Sequence, residues 1–215
     1  MLYTETIKGV TFELLKALMQ DERLTDFKLA GETSLALYLG HRKSIDFDLF
    51  TEKSFDATSM EKYLIDRYDF NGDFLEKNTI KGSINNIKVD CITHIYPYIE
   101  NPITTEDGIR IYGIKDIAAM KLSVIADDGT RLKDFIDIAC LSTKLSLSDM
   151  LKAYQQKYKN SNPIRPLKGL TFFEDINFNE PIQMIQGKYN WEKIEKRLHL
   201  MIKKENDIFP SLPLE

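Results

Sequence analysis

Three acidic residues define the chemistry open to this chain. Asp46 and Asp48 lie in Ser44-Ile45-Asp46-Phe47-Asp48-Leu49-Phe50, where polar and apolar residues alternate. Read as a β-strand, that alternation puts Ser44, Asp46 and Asp48 on one face and Ile45, Phe47 and Leu49 on the other. Two carboxylates aligned on one face repel each other unless water or a cation lies between them, and hard oxygen ligands of this kind suit magnesium. Asp90 lies in Ile87-Lys88-Val89-Asp90-Cys91-Ile92, which also reads as a strand. An ionised carboxylate is unfavourable there unless it is paired with a cation such as Lys88 or bound to a metal.

The residues that position these acids narrow the chemistry. Residues 27–30 read as a short strand, Gly31 as a tight turn, and residues 33–39 as a helix with Thr33 as its N-cap, so backbone N–H groups face the turn and form a phosphate site. Strand, glycine turn, helix and Asp-x-Asp strand together match the needs of phosphoryl transfer: backbone donors for a triphosphate and carboxylates for the metals that bridge it. Asp-x-Asp also recurs by chance on solvated strand faces. Here the preceding turn and helix, the adjoining His41-Arg42-Lys43 and the apolar opposite face set it apart.

The segments Gly31-Glu32-Thr33-Ser34-Leu35-Ala36-Leu37 and His41-Arg42-Lys43-Ser44-Ile45-Asp46-Phe47-Asp48-Leu49-Phe50 resemble the nucleotidyltransferase toxins of the AbiEii/AbiGii abortive-infection type, in the DNA polymerase β-like nucleotidyltransferase superfamily. The resemblance continues at Lys121, at Lys133-Asp134-Phe135-Ile136-Asp137-Ile138 and, more weakly, at Leu170-Thr171-Phe172-Phe173-Glu174-Asp175. Glu32 departs from the family's usual Gly-Gly or Gly-Ser turn.

This resemblance implies an α+β nucleotidyltransferase fold, a small mixed sheet with flanking helices followed by a C-terminal helical lobe. It implies that Asp46, Asp48 and Asp90 hold two Mg2+ ions, with Asp90 suited to activating the attacking hydroxyl. Ser44, Thr33, Arg42 and the Gly31 turn would meet the phosphates of a nucleoside triphosphate (NTP), and Lys121 would neutralise the leaving pyrophosphate. The Lys-Asp-Phe-Ile-Asp motif would add an active-site acid; Asp134 and Asp137 share a helix face, and the sequence leaves the choice between them open. The implied activity is NMP transfer to an acceptor hydroxyl of RNA, at a tRNA 3′ end, by a toxin with a separate antitoxin protein as partner. Two other readings stand beside it: a small-molecule nucleotidyltransferase of the antibiotic-modifying kind, and a non-catalytic relative that acts as a binding module.

The whole chain is compatible with these readings. Its 215 residues, 43% of them apolar, can bury a sizeable core. We place a nucleotidyltransferase core at 1–112 and a closely packed helical lobe at 113–215. The net charge of −4 requires any nucleic acid to be met by a local basic patch. One candidate is the stretch from Met150 to Phe173, which has no acidic residue and interleaves Lys152, Lys157, Lys159, Arg165 and Lys168 with Tyr154, Tyr158, Phe172 and Phe173. Without a secretory leader or a membrane-length apolar run, a cytoplasmic location is expected. Cys91 and Cys140 are isolated, so neither a disulfide framework nor a zinc site is expected.

Apolar periodicity predicts helices over 4–20 (with Ile7, Val10, Leu14, Leu15 and Leu18 inward), 59–68, 115–125 (with Ile117, Met120, Val124 and Leu122 inward), 132–141, 148–158 and 191–204. Strands are predicted over 73–80 and 87–94, joined by a turn at 82–86, and over 109–112.

Overall fold

Asp48 lies in β2 (Phe47–Thr51), with Asp46 just before it; β2 is the central strand of a seven-stranded mixed sheet in the order β3-β4-β5-β2-β1-β7-β6. The computed structural model describes residues 2–7 and 9–215. The remaining strands are β1 (Lys28–Leu29), β3 (Asn71–Glu76), β4 (Thr79–Ile84), β5 (Ile87–Thr93), β6 (Ile103–Thr104) and β7 (Arg110–Ile111). β2 runs antiparallel to β1 and parallel to β5. Phe47 and Leu49, the apolar face of β2, pack with Val89, Cys91 and Ile80 over α1 (Val10–Gln20) and α3 (Ala57–Tyr68). The opposite face, carrying Asp48 and Phe50, looks toward the C-terminal helices.

Those helices are α4 (Ile114–Asp127), α5 (Leu132–Leu141), α6 (Leu147–Lys157), the short α7 (Ile164–Gly169) and α8 (Trp191–Lys203). Their core is built on Ile117, Leu122, Phe135, Ile138, Met150 and Leu198, and it also takes Leu35 and Leu39 from α2 (Gly31–Leu39). Helix α2 thus joins the sheet to the helical half. The segment before β2 is also tied to the late chain: Lys43 N–H donates to the Gln183 carbonyl at 2.9 Å and Ile185 N–H to the His41 carbonyl at 2.9 Å. A mixed sheet flanked by helices agrees with the fold class expected from the sequence.

Local departures from expectation have identifiable causes. The first helix begins only at Val10, because Gly9 takes φ +56° and interrupts it after a 3-10 turn at Thr4–Thr6. Val10 is consequently exposed rather than inward, while Ile7 is buried before the break. Ile45, expected on the buried face, is 51% exposed, because sheet pairing begins only at Phe47. The single hairpin expected around 82–86 is two hairpins. Asn78 at φ +61° turns β3 into β4, and Asn85-Asn86, both at positive φ, turn β4 into β5. Gly82 is not a turn residue: it sits inside β4, where an added Cβ would meet the Asn71 carbonyl oxygen at 2.2 Å. The helix α7 has no counterpart among the expected elements. Helix α6 is capped by Ser146, whose hydroxyl accepts from the Asp149 N–H at 3.1 Å.

Candidate active site

Strand register brings the second and third acids together. In the parallel β2–β5 pair, Asp48 lies directly opposite Asp90. Adjacent strands are about 4.8 Å apart, so the two carboxylates stand on one face as neighbours. Asp90 is 3% exposed. One of its oxygens meets Lys88 Nζ at 3.2 Å, while the other, Oδ1, is buried with no partner. Asp48 is raised from an ordinary aspartate to about 6, first by burial and then by repulsion from Asp90 and Glu32. An unpartnered buried oxygen and a carboxylate pushed toward neutrality mark a site with unbalanced negative charge.

Gly31 closes over this pair from the start of α2. Its φ is +65°, and an added Cβ would lie 1.9 Å from Asp48 Oδ2, so only glycine allows the approach. Ala30, rather than Thr33, is the N-cap of α2. Thr33 and Ser44 are buried and hydrogen-bond to each other at 2.7 Å, and the Thr33 hydroxyl also donates to the Asp46 carbonyl. Both hydroxyls therefore fasten the Asp46 segment to α2. Asp46 itself is half-buried, and its carboxyl is raised by burial and by Glu32, with Lys88 and Lys133 opposing.

Behind these acids lies a buried network of charge. Arg42, 1% exposed, donates from Nε and Nη2 to the two Asp137 oxygens at 2.7 Å each, and from Nη2 to Glu32 at 2.8 Å. Lys121 Nζ meets Asp134 at 2.5 Å and Asp137 at 2.7 Å, and His41 Nε2 meets Asp137 at 2.8 Å. Burial pushes the Asp137 carboxyl up, but Arg42 and Lys121 outweigh it and hold the group well below the usual range. Burial alone would lower Lys121; Asp137 and Asp134 reverse this and keep it a cation. Glu32, a departure in sequence, is the partner that completes Arg42. Both Asp134 and Asp137 thus bind Lys121, and Arg42 is turned into the protein as a strut between α2 and α5.

Asp48 and Lys121, but neither Asp46 nor Asp90, line a cleft of about 380 Å³ between the sheet and α4. Gly31, Glu32, Asp48, Lys121, Arg131 and Asp134 line its polar end; Phe50, His94, Ile117, Met120, Val124 and Tyr158 line the other. Met120 and Val124, expected in the core, are half-buried and face this cleft. Arg131, His94 and Phe50 were missed by sequence reasoning. Phe50 was accessible to it, since it continues the Asp46-Asp48 face by two residues, and so was His94, the last residue of the strand expected over 87–94 and four residues on from Asp90; Arg131 lies just before α5, where no periodicity signals it.

The basic aromatic stretch of 150–173 does not form one surface. Lys157 is buried, ion-paired with Asp116 at 2.7 Å and donating to the Pro97 carbonyl at 3.1 Å, and Tyr154 is 1% exposed. An amphipathic helix turns one face inward, and α6 turns these two. Lys152, Lys159, Arg165, Lys168 and Phe172 remain exposed, with Arg165 paired to Asp127 at 2.8 Å. Arg165, Lys168 and Phe172 line a second concavity of about 480 Å³ that shares Asp127 and Asp128 with the cleft.

Among the described residues, no three Asp, Glu, His or Cys side chains are already gathered as a ready metal cage. The orphaned Asp90 oxygen and the raised Asp48 nonetheless fit a divalent cation, because each is a cost that positive charge would remove.

A helix-flanked mixed sheet with acids on neighbouring parallel strands, beneath a glycine at a helix start, is an arrangement of the nucleotidyltransferase class. Residues 13–205 match the family described as nucleotidyl transferase AbiEii toxin, type IV toxin–antitoxin system. The chain belongs to that family. It is also 37% identical over 176 residues to an uncharacterized protein of Aquifex aeolicus (strain VF5), covering 80% of this chain and 84% of that protein. Among the described residues, no helix is long and apolar enough to cross a membrane.

Proposed function

We propose that this chain transfers an NMP from an NTP to a hydroxyl of RNA, at a tRNA 3′ end, in the cytoplasm, and that a cognate antitoxin protein opposes this activity. The observation that carries the reading is the Asp48–Asp90 pair, one oxygen of which is buried and unpartnered, beneath the Gly31 cradle. Two Mg2+ ions held by Asp46, Asp48 and Asp90 would supply the acidity that ionises the acceptor hydroxyl and the charge that bridges the triphosphate.

The chain's own residues do the rest. The N–H groups opening α2 lack intrahelical acceptors and offer donors to phosphate beside Gly31. Lys121, kept cationic by Asp134 and Asp137, faces the cleft from α4 and offsets the charge of departing pyrophosphate. Asp137 acts through Lys121 and Arg42 and is a positioning residue. Arg42, Thr33 and Ser44 hold α2 and the Asp46 segment in place rather than reaching phosphate. Arg131, half in solvent at the cleft, adds a cation on the side nearest Asp134, 3.5 Å away.

A small-molecule acceptor is the second reading, favoured by the burial of Lys157 and Tyr154. The exposed Lys152, Lys159 and Lys168, with Phe172, are what supports RNA; the concavity that Arg165, Lys168 and Phe172 line beside the cleft also carries Asp127, Asp128 and Asp175. Incubation with Mg2+, each NTP labelled at the α-phosphate and total cellular RNA separates the two. Label in the tRNA band supports the proposal. NTP consumption with label only in a small-molecule acceptor fraction would replace RNA with the second reading.

A further inference from the structure

One cation at the site belongs to the acid row itself. Side chains alternate along β5, so Lys88 and Asp90 stand on one face, and Lys88 Nζ meets Asp90 Oδ2 at 3.2 Å. The parallel register pairs Phe47 with Val89 and Asp48 with Asp90; one residue before the first of these pairs, Lys88 lies level with Asp46. Its side chain is 55% exposed and that of Asp90 4%, so the ammonium comes in from solvent over a buried carboxylate. Burial lowers Lys88, but Asp90, then Asp48 and Asp46, outweigh this and raise it. Burial is also the largest influence on Asp46 and Asp48, raising both, and Lys88 is the foremost of the cations that oppose it.

The other described cations around the acids are engaged elsewhere. Arg42 is held by Asp137 and Glu32, Lys121 by Asp134 and Asp137, Arg131 by Asp134, and Lys133 by Glu180. Lys81 lies opposite Asp90 on β4, yet its ammonium sits over the Phe74 ring, 5.8 Å from the centroid.

We infer that Lys88 is a resident counter-cation of the acid row, which a divalent ion must displace from Asp90, so that this lysine sets the affinity of the site for free metal ions. The inference rests on the metal-binding part of the nucleotidyltransferase reading and adds a control to it. Asp90 Oδ1 is buried without a partner, so the ammonium covers half of the carboxylate and leaves charge uncompensated on the other half. A divalent ion supplies what that half lacks, and a lysine head kept among the same acids repels it. The flexible four-carbon stem lets the head leave Asp90 for the water already around it. Pairing with Lys88 and binding of metal, which the sequence offers as alternatives for Asp90, are thus successive states of one site. Lys88 holds the acids together until metal arrives and keeps the site from filling with any free ion at low concentration. It acts through Asp90 and is a positioning residue.

The test titrates Mn2+ alone into the full-length protein by calorimetry, beside thermal melts in EDTA, for wild type, Lys88→Met, Lys88→Arg and Lys81→Met. Removing a unit charge about 5 Å from a divalent ion in water-like surroundings strengthens binding about tenfold. Lys88→Met should therefore bind Mn2+ about tenfold more tightly than wild type and melt at a lower temperature in EDTA. Lys88→Arg keeps the charge and should stay close to wild type in both measurements. Lys81→Met removes the same charge one strand away and should leave Mn2+ affinity close to that of wild type. Equal or weaker Mn2+ binding by Lys88→Met, with cooperative melting retained, overturns the inference alone. An equal gain from Lys81→Met overturns it too, because the effect is then one of net charge. Failure of wild type and Lys88→Met alike to bind Mn2+ overturns the metal-binding reading of the acids and the inference with it.

Discussion

Replacing Asp48 with Asn should stabilise the protein in metal-free buffer, and the size of the gain follows from the site. The carboxyl is raised from 3.8 to about 6 by burial and by Asp90 and Glu32. At 1.36 kcal/mol per pKa unit, keeping it ionised costs about 3 kcal/mol. Because the folded pKa lies above the unfolded one, the stability linked to this group is fully present below about pH 4 and is lost as pH rises through about 6. Asn has the same shape and no charge to lose. The variant's advantage should therefore be near zero at pH 4 and reach about 3 kcal/mol by pH 8, or about 6–12 °C in Tm for a chain of this size. Mg2+ should narrow the gap by stabilising the wild type alone, by about 2.7 kcal/mol at a hundredfold excess over Kd. Thermal melts at the two pH values, in EDTA and in Mg2+, check all three points. A variant less stable than wild type at pH 8 in EDTA, or a gap that ignores pH, would refute the reasoning and make Asp48 a structural residue.

Further expectations test the surroundings of the site. Arg42→Met removes the cation paired with Glu32 and the two-pronged contact to Asp137, which keeps Lys121 and His41, and should cost about 3 kcal/mol in denaturant unfolding. Lys157→Ala should cost a similar amount by taking the paired cation from buried Asp116, which keeps the Ile99 and Glu100 N–H groups, while leaving RNA affinity and its salt slope unchanged, as measured by filter binding in folded protein below the denaturation midpoint. The triple variant Lys152→Ala, Arg165→Ala, Lys168→Ala should instead leave stability nearly unchanged and flatten the salt dependence of RNA binding by about 0.7 log–log units for each phosphate no longer neutralised. Gly31→Ala places a methyl group on Asp48 at a backbone angle that alanine resists, so Mg2+-dependent NTP binding should fall at least tenfold by calorimetry.

Much of the fold was legible because one face of each central element is apolar at a regular period. Phe47 and Leu49 alternate with Asp48, and Phe135, Ile138 and Ala139 recur at helical spacing. The breaks were harder to read, since they depend on single backbone angles: Gly9, Asn78 and the Asn85-Asn86 pair each adopt positive φ, and only the last pair falls within an expected turn region. At the site, types and spacing singled out Asp48 and Asp90, which the sheet sets side by side, but not which hydroxyl or cation would face outward. Thr33, Ser44 and Arg42 have the chemistry of phosphate ligands and are instead consumed by partners 10 or more residues away in sequence or across the fold. Glu32 illustrates the same limit: its value depends on Arg42, and nothing local announces that pairing. The basic stretch failed as a surface because composition does not reveal which helix face turns inward, and Asp116, the partner that buries Lys157, is 41 residues distant.

The most direct test of the central claim follows the two ends of the triphosphate separately. Wild-type protein is incubated with Mg2+, total RNA and NTP labelled at either the α- or the γ-phosphate, beside Asp48→Asn. Transfer of an NMP predicts that α-label enters RNA, that γ-label leaves as pyrophosphate, and that the variant does neither. Label entering RNA from the γ-position, or α-label incorporation that survives in the folded variant, would contradict the assignment of the Asp48–Asp90 pair as the nucleotidyl-transfer site.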